Sequence, residues 1–139
     1  MNDKNKILIV DDDRVIQRAL SMKLKAEGYD VVVASDGASA VSLARQGKPT
    51  VIVLDITFPA EPYGGVNWDG FLILDWLRRL EEAKDSAVIM ISGDNSEASR
   101  QKAKAAGALA FYPKPLDMPK VLKAIEVACA VQQATSQPA

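Results

Sequence analysis

TVIVLD, residues 50–55, runs four bulky apolar residues together and closes on a carboxylate. A strand with one wet face would alternate apolar and polar residues. This one does not, so it is expected to be covered on both faces, as strands of a parallel sheet are. The same reading extends outward in both directions. KILIV (6–10), DVVVA (30–34) and AVIMIS (87–92) are runs of similar kind, and ALAFY (108–112) is a weaker fifth. Between them lie segments of helical periodicity. Residues 14–27 place Ile16, Leu20 and Leu24 on one face and stop at Gly28, where a helix-ending glycine belongs. Residues 38–46, 70–82, 96–106 and 118–131 read as four further helices, the last with Asp117 as its N-cap. Five strands alternating with five helices predict an α/β fold: a five-stranded parallel sheet, right-handed crossovers and helices on both faces.

Composition narrows the function. The chain has 139 residues, 48% hydrophobic and 25% charged, enough for one domain with a real core. Residues 1–131 are expected to form it, with 132–139 as a polar tail. With 17 basic and 18 acidic residues the net charge is −1, and no basic stripe with interleaved aromatics stands out, so direct nucleic-acid binding is not expected. The opening MNDKNKILIVDDD does not read as a signal peptide, and no apolar run approaches a membrane span, so a soluble cytoplasmic protein is expected. A single cysteine, Cys129, sits in a late apolar stretch and is expected to be a buried small hydrophobe. There is no histidine. That excludes a Ser-His-Asp triad, a histidine metal site and a phosphohistidine carried by this chain.

In a sheet of this kind, sites form outside the carboxyl ends of the strands. Asp11, Asp12 and Asp13 follow the first run, Asp55 the third, Ser92 and Gly93 the fourth, and Lys114 the fifth. Alone, each has an ordinary reading as a turn, a cap or a surface residue. Jointly they gather carboxylates, a hydroxyl and an ammonium at one sheet edge. Clustered carboxylates repel and resist full ionisation. A hard divalent cation relieves this, and Mg²⁺ suits a site of few carboxylates plus a substrate phosphate. Asp11, Asp12 and Asp55 bring three negative charges, which Mg²⁺ and Lys114 would balance. A carboxylate in such a setting can act as a nucleophile and form an aspartyl phosphate.

The motifs ILIVDDD, VIVLDITFP, IMISG and YPKPL, in this order, resemble those of the receiver domains of two-component response regulators, over about residues 5–130. That resemblance implies a (βα)5 flavodoxin-like fold with strand order 2-1-3-4-5. It implies Asp55 as phosphoacceptor, with Asp11, Asp12, Asp55 and the carbonyl of Thr57 as ligands of Mg²⁺. Ser92 resembles the switch hydroxyl, Lys114 the site lysine with a cis bond to Pro115, and Phe111 the aromatic whose rotamer follows the state. Phenylalanine there lacks the hydroxyl of the tyrosine the family often carries. The donor implied is a histidine kinase or phosphotransfer protein. The output is a downstream protein partner or a separate output domain, read from the fourth helix, fifth strand and fifth helix. The domain is expected to be a signalling module rather than an enzyme, with intrinsic Mg²⁺-dependent autophosphorylation and slow autodephosphorylation.

One departure stands out. The family usually places a glycine about three residues after the proline corresponding to Pro59; here Ala60 to Asp69 intervene before Gly70. With Tyr63 and Trp68 inside it, this stretch reads either as a tolerated surface insertion, since lengthening a loop costs little, or as a lid or partner contact beside the site. Three other classes compete. A flavodoxin-like cofactor binder would want a phosphate loop where three aspartates stand. A dehalogenase-like phosphatase needs Asp-x-Asp, but Thr57 follows Asp55 at that spacing. A phosphorylation-independent interaction domain would not need the full acidic set.

Overall fold

The computed structural model describes residues 5–57 and 69–136. Five strands form one parallel sheet: β1 (Lys6–Val10), β2 (Asp30–Ala34), β3 (Val51–Asp55), β4 (Ala87–Ser92) and β5 (Ala110–Pro113). Their order is β2-β1-β3-β4-β5. The helices are α1 (Arg14–Ala26), α2 (Gly37–Gly47), α3 (Gly70–Arg78), α4 (Glu97–Ala105) and α5 (Met118–Ser136). Among the described residues no helix is long and apolar enough to cross a membrane.

The unbroken apolar runs resolve into two alternating sets. Leu8, Val10, Ile52, Leu54, Val88 and Met90 point to one face and pack with Ala40 and Ala44 of α2, Ile73, Leu74 and Leu77 of α3, and Ala103 of α4. Ile7, Ile9, Val51, Val53, Ile89 and Ile91 point to the other and pack with Leu20 and Leu24 of α1 and Val121, Ile125 and Ala128 of α5. Successive side chains in a strand alternate faces, so two covered faces demand a continuous run. Every residue of β3 is buried, as befits the middle strand. Cys129 is buried in the α1/α5 layer, and burial pushes its thiol up to about 11, which makes it an inert packing group.

Three boundaries differ from expectation. The α3 helix stops at Arg78 rather than running to residue 82. Leu80 and Ala83 turn inward to be buried, and the Arg78 guanidinium folds over the following turns, its Nη1 donating to the carbonyls of Lys84 (2.9 Å) and Ser86 (2.8 Å). The α5 helix runs on through Ser136, past the expected end at 131, and Gln132 Nε2 donates to the Asp85 carbonyl. The β5 strand starts two residues later than read and ends one later, at Pro113; Leu109 N–H bonds Val88 O (2.7 Å) just before it, and the ladder begins with Ile89 opposite Ala110. That shift sets Lys114 immediately past the strand end. Of the inserted stretch Ala60 to Asp69, residues 60–68, with Tyr63 and Trp68, lie outside the described residues, and Asp69 is the N-cap of α3.

Beyond that stretch, Gly70 opens α3 against the end of β3. Its N–H donates to Ile56 O (2.8 Å), and a Cβ there would meet Asp55 O and Ile56 Cα at 2.6 Å each. Only a glycine lets the helix start this close to the strand.

Candidate functional site

The three consecutive aspartates divide into three roles. Asp13 is the N-cap of α1, its Oδ1 accepting from the N–H groups of Val15 (2.9 Å) and Ile16 (3.4 Å). Asp12 is exposed at the rim. Asp11 is fully buried. Its backbone N–H continues the sheet by donating to Ala34 O (3.1 Å), and its Oδ1 accepts from Asp13 N–H (2.8 Å). The Asp11 carbonyl accepts from Gln17 Nε2, which also donates to Ser35 Oγ and so ties α1 to the loop after β2.

Asp55 ends β3 with its carboxylate only 2% exposed. Its Oδ1 accepts from Thr57 N–H (3.1 Å) and its Oδ2 from Lys114 Nζ (3.1 Å). Lys114 Nζ also stands 3.0 Å from Asp11 Oδ2, at ion-pair distance but out of hydrogen-bond alignment, so that buried oxygen has no hydrogen-bond donor. The Lys114–Pro115 peptide is cis. One ammonium thus faces two buried carboxylates, with a third at the rim.

The electrostatics follow from that count. Burial, then the neighbouring Asp11 charge, pushes the Asp55 carboxyl up to about 6, while Lys114 and the Thr57 N–H pull the other way. Burial opposes the charge on Lys114, but contacts with Asp11 and Asp55 overcome it and raise its pKa. A raised carboxyl pKa favours the folded state most where the group is protonated in both states. Its contribution is complete below the unfolded value of 3.8 and is lost as pH rises through about 6. Without divalent cation, the protein should therefore lose stability from this group as pH rises from about 4 to about 7, a loss absent from Asp55→Asn. Thermal melts in chelator across that range measure it; parallel profiles for the two proteins would contradict it.

Carboxylate oxygens of Asp11, Asp12 and Asp55 lie within 4.8 Å of one another. The Asp11 Oδ2, without a hydrogen-bond donor and paired only with the Lys114 ammonium at 3.0 Å, supplies a hard anionic ligand atom. These residues fit a hard divalent cation.

The remaining residues singled out from sequence lie around this cluster. Ser92 is buried at the end of β4, and its carbonyl accepts from Lys114 N–H (2.8 Å). Its hydroxyl is turned to the following loop, where it accepts from Asp94 N–H (2.9 Å). Gly93 has open space where a Cβ would sit. Phe111 is half-buried on β5 against the α2/α3/α4 layer, with the Arg100 guanidinium 5.0 Å from its ring centre. Sequence reading passed over Gln17 and Asp94. The Ser96–Ser99 spacing at the start of α4 was the available signal for the second, and a lone glutamine between apolar helix positions carried none for the first.

Residues 7–126 match the response regulator receiver domain.

The chain belongs to that family.

This receiver domain is 34% identical over 125 residues to protein PilH of Pseudomonas aeruginosa, covering 90% of this chain and 98% of PilH. It is also 34% identical over 117 residues to RpaA of Synechocystis, described as a DNA-binding dual master transcriptional regulator, covering 84% of this chain and 46% of RpaA. The chain therefore spans nearly the whole of one relative and about half of the other. Among solved structures it resembles chemotaxis protein CheY4 of Vibrio cholerae, with a TM-score of 0.80, 28% identity, and coverage of 91% of this chain and 99% of CheY4. A CheY-like receiver from Methanospirillum hungatei superposes with a TM-score of 0.83 at 25% identity, covering 96% of this chain and 100% of that one. The receiver fold and its strand order are thus as the sequence motifs implied. As a receiver domain, the chain is a signalling module of two-component systems.

Proposed function

We propose that Asp55 accepts a phosphoryl group from a histidine kinase or phosphotransfer protein, in a reaction that depends on Mg²⁺. The carrying observation is the buried Asp55 carboxylate, held by Lys114 on one oxygen and the Thr57 N–H on the other beside two further acids. In this reading a carboxylate oxygen attacks the phosphorus of a phosphohistidine, the P–O bond forming as the P–N bond breaks and the imidazole leaves. Asp11, Asp12, Asp55 and the Thr57 carbonyl would hold Mg²⁺, which supplies positive charge against the transferring oxygens. Lys114, already in place, donates to a phosphoryl oxygen. Burial keeps the nucleophile dry and its contacts fixed.

Phosphorylation replaces the Asp55 carboxylate charge with that of an acyl phosphate, a net gain of up to about one negative charge at a place whose charges are otherwise balanced. The Ser92 hydroxyl then turns toward the new oxygens, Phe111 follows, and the face made by α4, β5 and α5 changes. That face controls a protein partner or a separate output segment in the cytoplasm, without nucleic-acid contact by this domain. The domain catalyses its own phosphorylation from small donors and its own slow dephosphorylation.

The test is incubation with Mg²⁺ and acetyl phosphate, followed by intact-mass measurement and acid–base lability. Wild type should gain one phosphoryl mass, labile as an acyl phosphate is, and Asp55→Asn should gain none. An unmodified wild type, or equal modification of both proteins, would replace this reading with that of a phosphorylation-independent interaction domain.

A further inference from the structure

The loop between β4 and α4 carries a hydrogen-bond network with no part in the acidic cluster. Ser92 Oγ accepts from Asp94 N–H (2.9 Å). Asp94 Oδ1 accepts from Ser96 N–H (2.9 Å) and Asp94 Oδ2 from the Ser99 hydroxyl (2.8 Å). Ser96 in turn caps α4, its Oγ accepting from Ser99 N–H (3.2 Å). A single residue thus joins the hydroxyl at the end of β4 to the first turn of α4. The Ser99 hydroxyl, then the Ser96 contacts, hold the Asp94 carboxyl below the ordinary range, so these are charge-assisted bonds at neutral pH.

The network matters because α4 has little else to anchor it. Ala103 is the one residue of that helix that is buried. Among the described residues two cations of that helix also lie over rings, Arg100 on Phe111 at 5.0 Å and Lys102 on Phe71 at 4.4 Å. A helix with so few buried apolar contacts belongs to the loosely held part of a fold, where a few polar bonds decide its position.

We infer that Asp94 is a positioning residue that latches the unphosphorylated state, by holding the Ser92 hydroxyl and the first turn of α4 together. This rests on the reading of Asp55 and Ser92 given above. A Ser92 hydroxyl that turns toward a phosphoryl group on Asp55 changes the rotamer in which it accepts from Asp94 N–H. The loop then moves, and the bonds from Ser96 and Ser99 to the carboxylate go with it. A contact made only in the unphosphorylated state weakens phosphoryl binding by its own equilibrium factor. For a pair of charge-assisted bonds at a solvent-exposed loop that factor is about tenfold.

The experiment uses the full chain with Mg²⁺ and beryllofluoride as the phosphoryl mimic, comparing wild type, Asp94→Ala and Ser99→Ala. Binding is followed by calorimetry, and each protein is melted both free and loaded. Asp94→Ala should bind about tenfold more tightly and Ser99→Ala about threefold, because each lacks a contact that only the free state makes. The free variants should melt below free wild type, and the loaded variants together with loaded wild type. A merely structural Asp94 would lower both melts equally and leave affinity unchanged, which overturns the latch. Weaker binding by either variant overturns it as well. Should Asp94→Ala fail to fold, Ser99→Ala carries the comparison alone. Failure of wild type itself to bind the mimic removes the phosphoacceptor reading and the latch with it, whereas normal wild-type binding with unchanged variants removes the latch only.

Discussion

Gly70→Ala should melt about 10 °C below wild type, a loss of roughly 3 kcal/mol at this chain length. The added methyl would stand 2.6 Å from Asp55 O, 2.6 Å from Ile56 Cα and 3.1 Å from Asp55 C. All three are backbone atoms of a buried strand end, so none can rotate away as a flexible side chain would. Either α3 backs off, breaking the Gly70 N–H bond to Ile56 O and opening the layer around Ile73, Leu74 and Leu77, or the end of β3 shifts. The second outcome displaces Asp55 and Thr57, so phosphoryl acceptance should fall along with stability. Gly93→Ala is the matched control. It is beside the site too, but its methyl would enter open space, and it should melt within about 2 °C of wild type. Equal melting temperatures for Gly70→Ala and wild type would show that the helix start is not held by this close approach.

Lys114→Ala is expected to do comparable damage for a different reason. Its ammonium is the shared cation of Asp11 and Asp55, at 3.0 and 3.1 Å, and both carboxylates are almost fully buried. Removing one partner of a buried ion pair costs about 3–5 kcal/mol, because the charge left behind is neither solvated nor paired. The loss should depend on pH with a definite sign. Asp55 already titrates at about 6 with Lys114 present, and without it the carboxyl rises further. Protonation relieves the variant, so its deficit should be smallest near pH 5 and largest near pH 8. Millimolar divalent cation should recover part of the stability, since it would neutralise the same carboxylates. On the proposed phosphoacceptor reading, phosphoryl transfer should stay depressed even so, because the group assigned to donate to the transferring oxygens is gone. Melts at the two pH values, with and without Mg²⁺, check all three statements. A deficit that grows toward low pH would contradict the assigned pairing.

The fold was legible because its signal is local. Ile52, Val53 and Leu54 declare a doubly covered strand by standing next to one another. The sheet then sorts them by parity alone, Ile52 and Leu54 to one layer and Val53 to the other. Less was legible where neighbours did not decide. GFLILDWLRRLEE continues its helical pattern past Arg78, yet the helix ends there because Arg78 finds carbonyl partners six and eight residues on. Likewise, Asp11, Asp12 and Asp13 are chemically identical in the sequence. Their division into a buried anion, a rim anion and a helix cap depends on how β1 turns into α1 beneath β2 and β3.

By itself, the sequence determined the five-strand alternation, the doubly covered sheet and the inventory of groups at the strand ends, because burial pattern and residue type are properties of consecutive residues. Only the tertiary structure decided what those groups do to each other. Lys114 reaches Asp55 across 59 residues of chain, and Gly70 presses on the strand that presents the same carboxylate. The Asp94 N–H donates to the Ser92 hydroxyl oxygen at 2.9 Å. The raised pKa of Asp55 arises from burial and from Asp11, which stands beside it only because β1 and β3 are hydrogen-bonded neighbours in the sheet. Distance and desolvation set the reactivity of a carboxylate, and neither exists until the strands have assembled.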